Sequence, residues 1–403
     1  MPKRILFVDD DPMVLSGLQR SLRSMRAEWD MVFVNGGHEA LHEMEQKLFD
    51  IIVTDMRMPV MTGAQLLEEV KRRFPHCFRI ILSGQADQQA ILRSVDPTHQ
   101  FLAKPCDTAE LKTRLQRAFA VGELLHNEEL RAVVSQMEAI PSLPKLYLEV
   151  TSELQKGEPS IPRIAELVSQ DMAMTAKVLQ LVNSAFFGLR CQVSSAMQAI
   201  QMLGLDTLRA LVLSTHVFEK FRSSSLGEAE MSYLWKHSLV VASFAKKIAA
   251  LENADRQTMD ACFTSGLLHD SGKLILSSAL RQRYNTVLAL VREGGYTLFA
   301  AEKQVLGCSH AEVAAYLLGL WGLPQAVVEG VAWHHEPSRT RCNSFSTVIA
   351  THVASIYHEQ KDAFWMQDHT SIDTAALERC GCVEREEVWR TVTEQPIETW
   401  NVL

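Results

Sequence analysis

Five short runs of β-branched and apolar residues, at positions 5–8, 31–34, 51–54, 79–82 and 100–102, alternate with amphipathic helical spacings over residues 3–119. Runs this short and this uniformly apolar are buried on both faces, the condition of strands in a parallel sheet covered by helices. The alternation therefore predicts an α/β fold, a doubly wound sheet of five parallel strands. Local signals agree. Asp11 followed by Pro12 suits the cap and first turn of the first helix, and Gly36-Gly37 and Thr62-Gly63 fall where strands give way to helices.

Past Pro105 the pattern changes. Apolar residues at helical spacing run from Thr108 through Leu111, Leu115, Ala118, Leu125, Leu130, Val133 and Met137, with no proline until Pro141. They predict one long connecting helix, which Gly122 can bend. Beyond Pro141 strand signals vanish and the chain reads as all-α to about His358. Arg222-Ser223-Ser224-Ser225-Leu226-Gly227 reads as an internal linker. The expected boundaries are 1–120 for the α/β domain, 121–138 for the connecting helix and 139–358 for the all-α domain. The last comprises a front lobe, 139–221, and a back lobe, 228–358, and a C-terminal extension of short helices follows at 359–403.

A chain of 403 residues has room for two or three domains. Its 47% hydrophobic and 22% charged composition is that of a soluble globular protein. The net charge of −8 argues against an indiscriminate grip on nucleic acid or anionic membrane. Eight scattered cysteines without a CxxC pair read as reduced thiols. The start, MPKRILFVDD, turns acidic after one short apolar run, and no stretch reaches the roughly 18 apolar residues of a membrane span. A cytoplasmic location is expected.

In a doubly wound sheet, ligands bind beyond the carboxyl ends of the strands. The residues there are Asp9 and Asp10, Asp55, Ser83 and Lys104. Carboxylates brought together repel, each pair by roughly 4 kcal/mol at 4 Å in an effective dielectric of about 20, so a cation belongs among them. Mg²⁺ takes oxygen ligands, and Lys104 supplies a point charge for Asp55 or for a phosphoryl oxygen. The pieces ILFVDDD, IIVTDMRMP, IILSG and FLAKP resemble, in order and spacing, the response-regulator receiver domain, a flavodoxin-like fold. That resemblance implies that Asp55 is the phosphoacceptor and that Asp10, Asp55 and the backbone carbonyl of Arg57 ligate Mg²⁺, with Asp9 helping through water. It also implies that Ser83 and Lys104 hold the phosphoryl group and that Phe101 is the aromatic that moves on activation. Asp11 is better explained as a helix cap than as a metal ligand.

In the helical half, Ile140-Pro141-Ser142-Leu143-Pro144, Asn183-Ser184-Ala185-Phe186-Phe187-Gly188 and Ala199-Ile200-Gln201-Met202-Leu203-Gly204 precede two further motifs. These are Trp235-Lys236-His237-Ser238 and the stretch Gly266 to Leu274 around His269-Asp270. Together they resemble the HDOD domain, a signalling relative of the HD phosphohydrolases. By that resemblance His237, His269 and Asp270 match hydrolase metal ligands, and His310, His334 and His335 fall where binuclear relatives add more. The set is incomplete: Ser355 stands where the distal aspartate is expected, and His334-His335 is followed by Glu336-Pro337-Ser338 rather than by the Gly-Tyr-Pro of cyclic-di-GMP phosphodiesterases. Water or His352 could complete the coordination of a divalent transition metal. Lys273, one turn after Asp270, is a candidate phosphate contact or the partner of a nearby acid.

Plainer readings hold elsewhere. His216 and His352 are expected as hydrogen-bonded core residues, Met172, Met174, Met197 and Met202 as core, and Trp235, Trp321 and Trp333 as packing. Lys71-Arg72-Arg73 reads as the solvated end of a helix. The resemblance thus implies a two-component response regulator. A cognate histidine kinase or phosphotransfer protein would phosphorylate Asp55, and the HDOD domain would answer through contacts with a signalling protein. A phosphorylation-gated metal phosphohydrolase, or a nucleotide-binding sensor, is the alternative. The connecting helix, apolar along one stripe, is the natural lever and predicts a homodimer sensitive to phosphorylation. No basic recognition helix follows the α/β domain, so DNA is not an expected partner.

Overall fold

The computed structural model describes residues 3–74, 77–83, 100–104, 108–124, 145–154, 159–170, 174, 178, 195–220, 225–362 and 371–393. The chain divides into two compact units, Met1–Ser142 with Tyr316–Leu323, and Leu143–Ala315 with Pro324–Leu403.

The first unit is built on the five-stranded parallel sheet expected from the sequence. Its strands are β1 (Lys3–Asp9), β2 (Trp29–Asn35), β3 (Ile51–Asp55), β4 (Phe78–Ser83) and β5 (Gln100–Ala103), in the order β2-β1-β3-β4-β5. The reversal of direction falls between β1 and β3, which pair from Ile5↔Ile51 to Val8↔Thr54 and so bring their carboxyl ends side by side. Ile5, Leu6, Phe7, Ile52 and Val53 are almost wholly buried, as strands covered on both faces require. Around them run α1 (Pro12–Ser21), α2 (Gly37–Gln46), α3 (Gly63–Arg73) and α4 (Thr108–Leu124). Asp11 caps α1, its carboxylate accepting from the Met13 amide at 2.8 Å, and Thr62 and Gln65 form a reciprocal capping box on α3. Arg72 pairs with Glu69 in the basic last turn of α3. The expected continuation of α4 through Met137 lies outside the described residues.

The regular elements of the second unit are all helical among its described residues: α5 (Lys145–Leu154), α6 (Ile161–Ser169), α7 (Ala196–Leu203), α8 (Leu205–Lys220), α9 (Glu228–Leu251), α10 (Arg256–Leu268), α11 (Ser271–Ala279), α12 (Arg281–Arg292), α13 (Leu298–Leu306), the start of α14 (His310–Leu320), whose residues from Tyr316 on fall with the first unit, α15 (Gln325–Ala332) and α16 (Thr347–Lys361). Every residue of α16 from Thr347 to Glu359 is buried, so this helix runs through the middle of the core.

Three features bear on the expectations. The segment around Ser225 is anchored by its amide and hydroxyl, which both donate to Ser277 O, and Ala210 and Leu211 of α8 share a core with Leu239, Ala242, Phe263 and Leu267 across the expected lobe boundary. Met202 is exposed: α7 buries the face carrying Ala199 and Ile200, and Met202 falls off it. Finally, the described part of the polar C-terminal stretch, residues 371–393, packs into the core. Short helices α17 (Thr374–Arg379) and α18 (Glu386–Arg390) bring Leu377 and a fully buried Trp389 against Phe244, Ile248 and Tyr357. Among the described residues no helix is long and apolar enough to cross a membrane.

Candidate functional site

At the carboxyl edge of the sheet, Asp9 ends β1 and Asp55 ends β3, with Lys104 just past β5. Lys104 Nζ donates to Asp9 Oδ2 at 2.9 Å and also to Asp55 Oδ1. Asp9 is buried, Asp55 half-buried and Asp10 exposed. Asp9 Oδ1 accepts the Asp11 amide at 3.0 Å, and Asp55 Oδ2 accepts the Arg57 amide at 2.6 Å. Burial pulls the Lys104 ammonium down, but its hydrogen bonds to Asp55 and Asp9 outweigh this and hold it above the ordinary lysine value. The loop is held against the strand by a close approach: a Cβ on Gly63 would stand 2.0 Å from Asp55 O. Ser83 ends β4 opposite Ala103, and Phe101 pairs with Ile81; the side chains of Ser83 and Phe101 lie outside the described residues, as do residues 84–99.

In the helical unit, His269 and Asp270 occupy the break between α10 and α11. His310 opens α14, and His334-His335 follow α15. Glycines permit the approach. A Cβ on Gly272 would lie 2.0 Å from His310 O, so the start of α11 abuts the start of α14. His237 enters from α9, and Thr351, Ser355 and His358 form one stripe of α16.

The five expected histidines meet around Asp270. Its Oδ1 is 3.2 Å from His310 Nε2 and 3.9 Å from His334 Nε2. Its Oδ2 lies 3.4 Å from His269 Nε2 and 3.7 Å from His237 Nε2, and accepts from Lys273 Nζ at 2.6 Å. His335 Nε2 is 2.9 Å from His310 Nε2. Ligand atoms of Asp270, His310, His334 and His335 form one compact set, and those of His237, His269 and Asp270 a second.

The outer nitrogens fix the tautomers. His269 Nδ1 meets Gly266 O and His334 Nδ1 meets Val331 O, so each donates outward and as a neutral ring turns an unprotonated Nε2 inward, while His310 donates through Nδ1 to Glu302 Oε2 and faces Asp270 Oδ1 with Nε2 at 3.2 Å. Burial holds His269 below the usual histidine value, and burial together with His358 holds His237 well below it. Burial pushes the Asp270 carboxyl up, but His269, Lys273 and His310 outweigh it and keep the group ionised. Imidazoles converging on a carboxylate are a donor set for a divalent transition metal.

Comparison with known proteins matches residues 5–116 to the response regulator receiver domain and residues 140–337 to the HDOD domain. The chain joins a receiver domain to an HDOD domain. An uncharacterised protein of Treponema pallidum (strain Nichols) is 26% identical over 204 residues, 51% of this chain and 39% of that protein. The transcriptional regulatory protein ZraR of Escherichia coli O157:H7 is 27% identical over 157 residues, 39% of this chain and 35% of that protein. The chain thus spans well under half the length of these two relatives. An HDOD domain protein of unknown function from Geobacter sulfurreducens has the same fold, with a TM-score of 0.53 at 24% identity over 66% of this chain and 97% of that one.

Two HDOD pocket residues do not stand out in the sequence. Glu302, buried, accepts from the His310 amide at 2.7 Å, from His310 Nδ1 at 2.6 Å and from the Tyr284 hydroxyl at 2.9 Å. His358 meets His237, Nδ1 to Nδ1, at 2.7 Å. His358 lies one turn beyond Ser355 on the same helix, a spacing that marks it as a pocket candidate. His352 is the hydrogen-bonded core residue expected, its Nδ1 donating to His334 O at 2.6 Å and its Nε2 accepting the Asp373 amide at 2.9 Å, so both ring nitrogens are engaged away from a coordination shell.

Proposed function

We propose that the chain is a phosphorylation-controlled response regulator in which Asp55 accepts a phosphoryl group and the HDOD domain passes the signal on by contact with another protein. The observation that carries this is the Lys104 ammonium shared between the carboxylates of Asp9 and Asp55. In the transfer, an Asp55 carboxylate oxygen bonds to phosphorus while the bond to the donor breaks, its electron pair leaving with the donor. The donor is a histidine kinase or phosphotransfer protein. Asp10, Asp55 and the Arg57 carbonyl, with Asp9 through water, are the residues to hold Mg²⁺, which neutralises phosphoryl charge. Lys104 then exchanges a carboxylate for a phosphoryl oxygen, and Ser83 and Phe101 respond to it. A receiver of 1–120, a connecting helix of 121–138 and an output domain of 139–358 are the working boundaries.

The test is hydrogen exchange of the full chain with Mg²⁺ and beryllofluoride. Slowed exchange is expected in the loops beside Asp55 and altered exchange in residues 143–315, both lost in Asp55→Asn. Altered exchange confined to the receiver would remove the coupling to the output domain.

A second reading is favoured by the converging imidazoles: the HDOD pocket binds a divalent transition metal, and a phosphorylation-gated phosphohydrolase is its catalytic form. Lys273 is then the phosphate contact. In competition with that role, its ammonium is already 2.6 Å from Asp270 Oδ2. Metal-dependent nucleotide turnover abolished by His269→Ala would establish the hydrolase and displace the contact-only output.

A further inference from the structure

We propose that the HDOD pocket holds one metal ion and not two: His310, His334, His335 and Asp270 Oδ1 bind a divalent transition metal, and the Lys273 ammonium stands in for a second cation beside His237 and His269. The proposal rests on the reading of the pocket as a metal site and specifies which half is used.

A tetrahedral ion with bonds of about 2.1 Å spaces its ligand atoms roughly 3.4 Å apart. On the first side the spacings are 3.2 Å from His310 Nε2 to Asp270 Oδ1, 2.9 Å from His310 Nε2 to His335 Nε2, and 3.9 Å from His334 Nε2 to Asp270 Oδ1. These three spacings bracket that value, and all four ligand atoms lie within 4.8 Å of one another. The support behind them is built for a metal: Glu302 takes the Nδ1 proton of His310, and Val331 O takes that of His334. Such outer partners fix the ring and sharpen the inner nitrogen as a ligand.

The second side has comparable spacings, 3.1 Å from His237 Nε2 to His269 Nε2 and 3.4 and 3.7 Å between Asp270 Oδ2 and the Nε2 atoms of His269 and His237. Spacing alone does not separate the halves; charge does. Where α16 would supply a carboxylate it presents the neutral Ser355 hydroxyl, 3.3 Å from His237 Nε2. Lys273, buried, donates to Asp270 Oδ2 at 2.6 Å, using the oxygen a second ion needs and placing like charge beside it. The first side therefore brings four donors together, and the second brings three donors with a lysine ammonium already on one of them. A four-coordinate, closed site is structural. It ties the start of α11 to the start of α14 and to the segment after α15, and leaves no position for a substrate water.

The experiment uses the full chain, stripped with chelator and titrated with Co²⁺ and then Zn²⁺, reading bound metal by elemental analysis and coordination by the visible Co²⁺ spectrum. One ion per chain is expected, with the intense bands of a tetrahedral site. His335→Ala and the milder His335→Gln should each weaken binding more than about tenfold, with folding checked by circular dichroism. His237→Ala should keep one ion, and Lys273→Met should admit a second. A wild-type chain that binds two ions, or one ion lost in His237→Ala but kept in His335→Ala, overturns the assignment while leaving the metal reading standing. A Lys273→Met chain that still binds one ion overturns the role given to the ammonium. A folded wild-type chain that binds none overturns both the assignment and the metal reading.

Discussion

The imidazoles of His237 and His358 meet Nδ1 to Nδ1 at 2.7 Å, so one of the two nitrogens carries a hydrogen and the other a lone pair. His358 Nε2 lies 3.9 Å from Asp362 Oδ2, which in turn accepts from Lys236 Nζ at 2.7 Å. A carboxylate on the far side of His358 favours its Nε2 proton. His237 then donates through Nδ1 and shows its Nε2 lone pair to the pocket, the same arrangement found at His269 and His334.

This arrangement makes the metal-free chain sensitive to acid. Burial drives the His358 imidazole down to about 4, and His237 and His269 are also depressed. An unfolded chain protonates these rings below about pH 6.5, while the folded chain resists. Their contribution is therefore complete above that pH and is lost as pH falls toward 4. For His358 alone the loss is on the order of 3 kcal/mol. Urea unfolding of chelated protein at pH 7.5 and pH 5 should show the decline, and His358→Asn should flatten it. Equal stability at the two pH values would contradict the neutral buried cluster.

Gly63 and Gly17 should respond to alanine in opposite directions. At Gly63 the added Cβ would stand 2.0 Å from Asp55 O, whereas at Gly17, inside α1, nothing lies within 4 Å. Gly63→Ala should cost about 1–3 kcal/mol and impair phosphoryl transfer. Gly17→Ala should gain up to about 1 kcal/mol through helix propensity. Thermal unfolding of the two variants checks the pair.

Trp389 is fully buried, and its Nε1 donates to Glu252 Oε1 at 2.8 Å. Trp389→Ala should destabilise the helical unit by about 3–5 kcal/mol, and Trp389→Phe by less. A truncation before residue 371 should do at least as much damage as the alanine change. If urea unfolding of the truncated chain matched the full chain, the C-terminal stretch would not belong to the core as described.

What is legible in the sequence is what local physics forces. Runs such as Ile51-Ile52-Val53 have no stable place except between covering layers, and once the strands are set, Asp9 and Asp55 must end side by side. The histidines are legible as types at matching positions, and the fold brings all of them to Asp270. What stays hidden depends on which helix faces which. Glu302 is an ordinary acid in sequence and becomes a partner of His310 only when α13 packs beside α14. Trp389 sits among charged residues whose polarity conceals the one buried ring. Met202 misleads the other way, since its apolar side chain says nothing about whether a neighbour covers it.

The proposed dimer is tested by sedimentation of the full chain with and without beryllofluoride and Mg²⁺. If the connecting helix is a lever, a shift between monomer and dimer follows that Asp55→Asn abolishes. An unchanged distribution would count against transmission through dimerisation and leave transmission within one chain.

Everything downstream depends on Asp55 accepting a phosphoryl group under control of Lys104. The deciding measurement is the intact mass of the full chain after incubation with acetyl phosphate and Mg²⁺, followed by peptide mapping. One added phosphoryl group per chain is predicted, located at Asp55, labile to base, and absent in Asp55→Asn. A wild-type chain that gains no mass under these conditions, or an Asp55→Asn chain that gains the same mass, would contradict it.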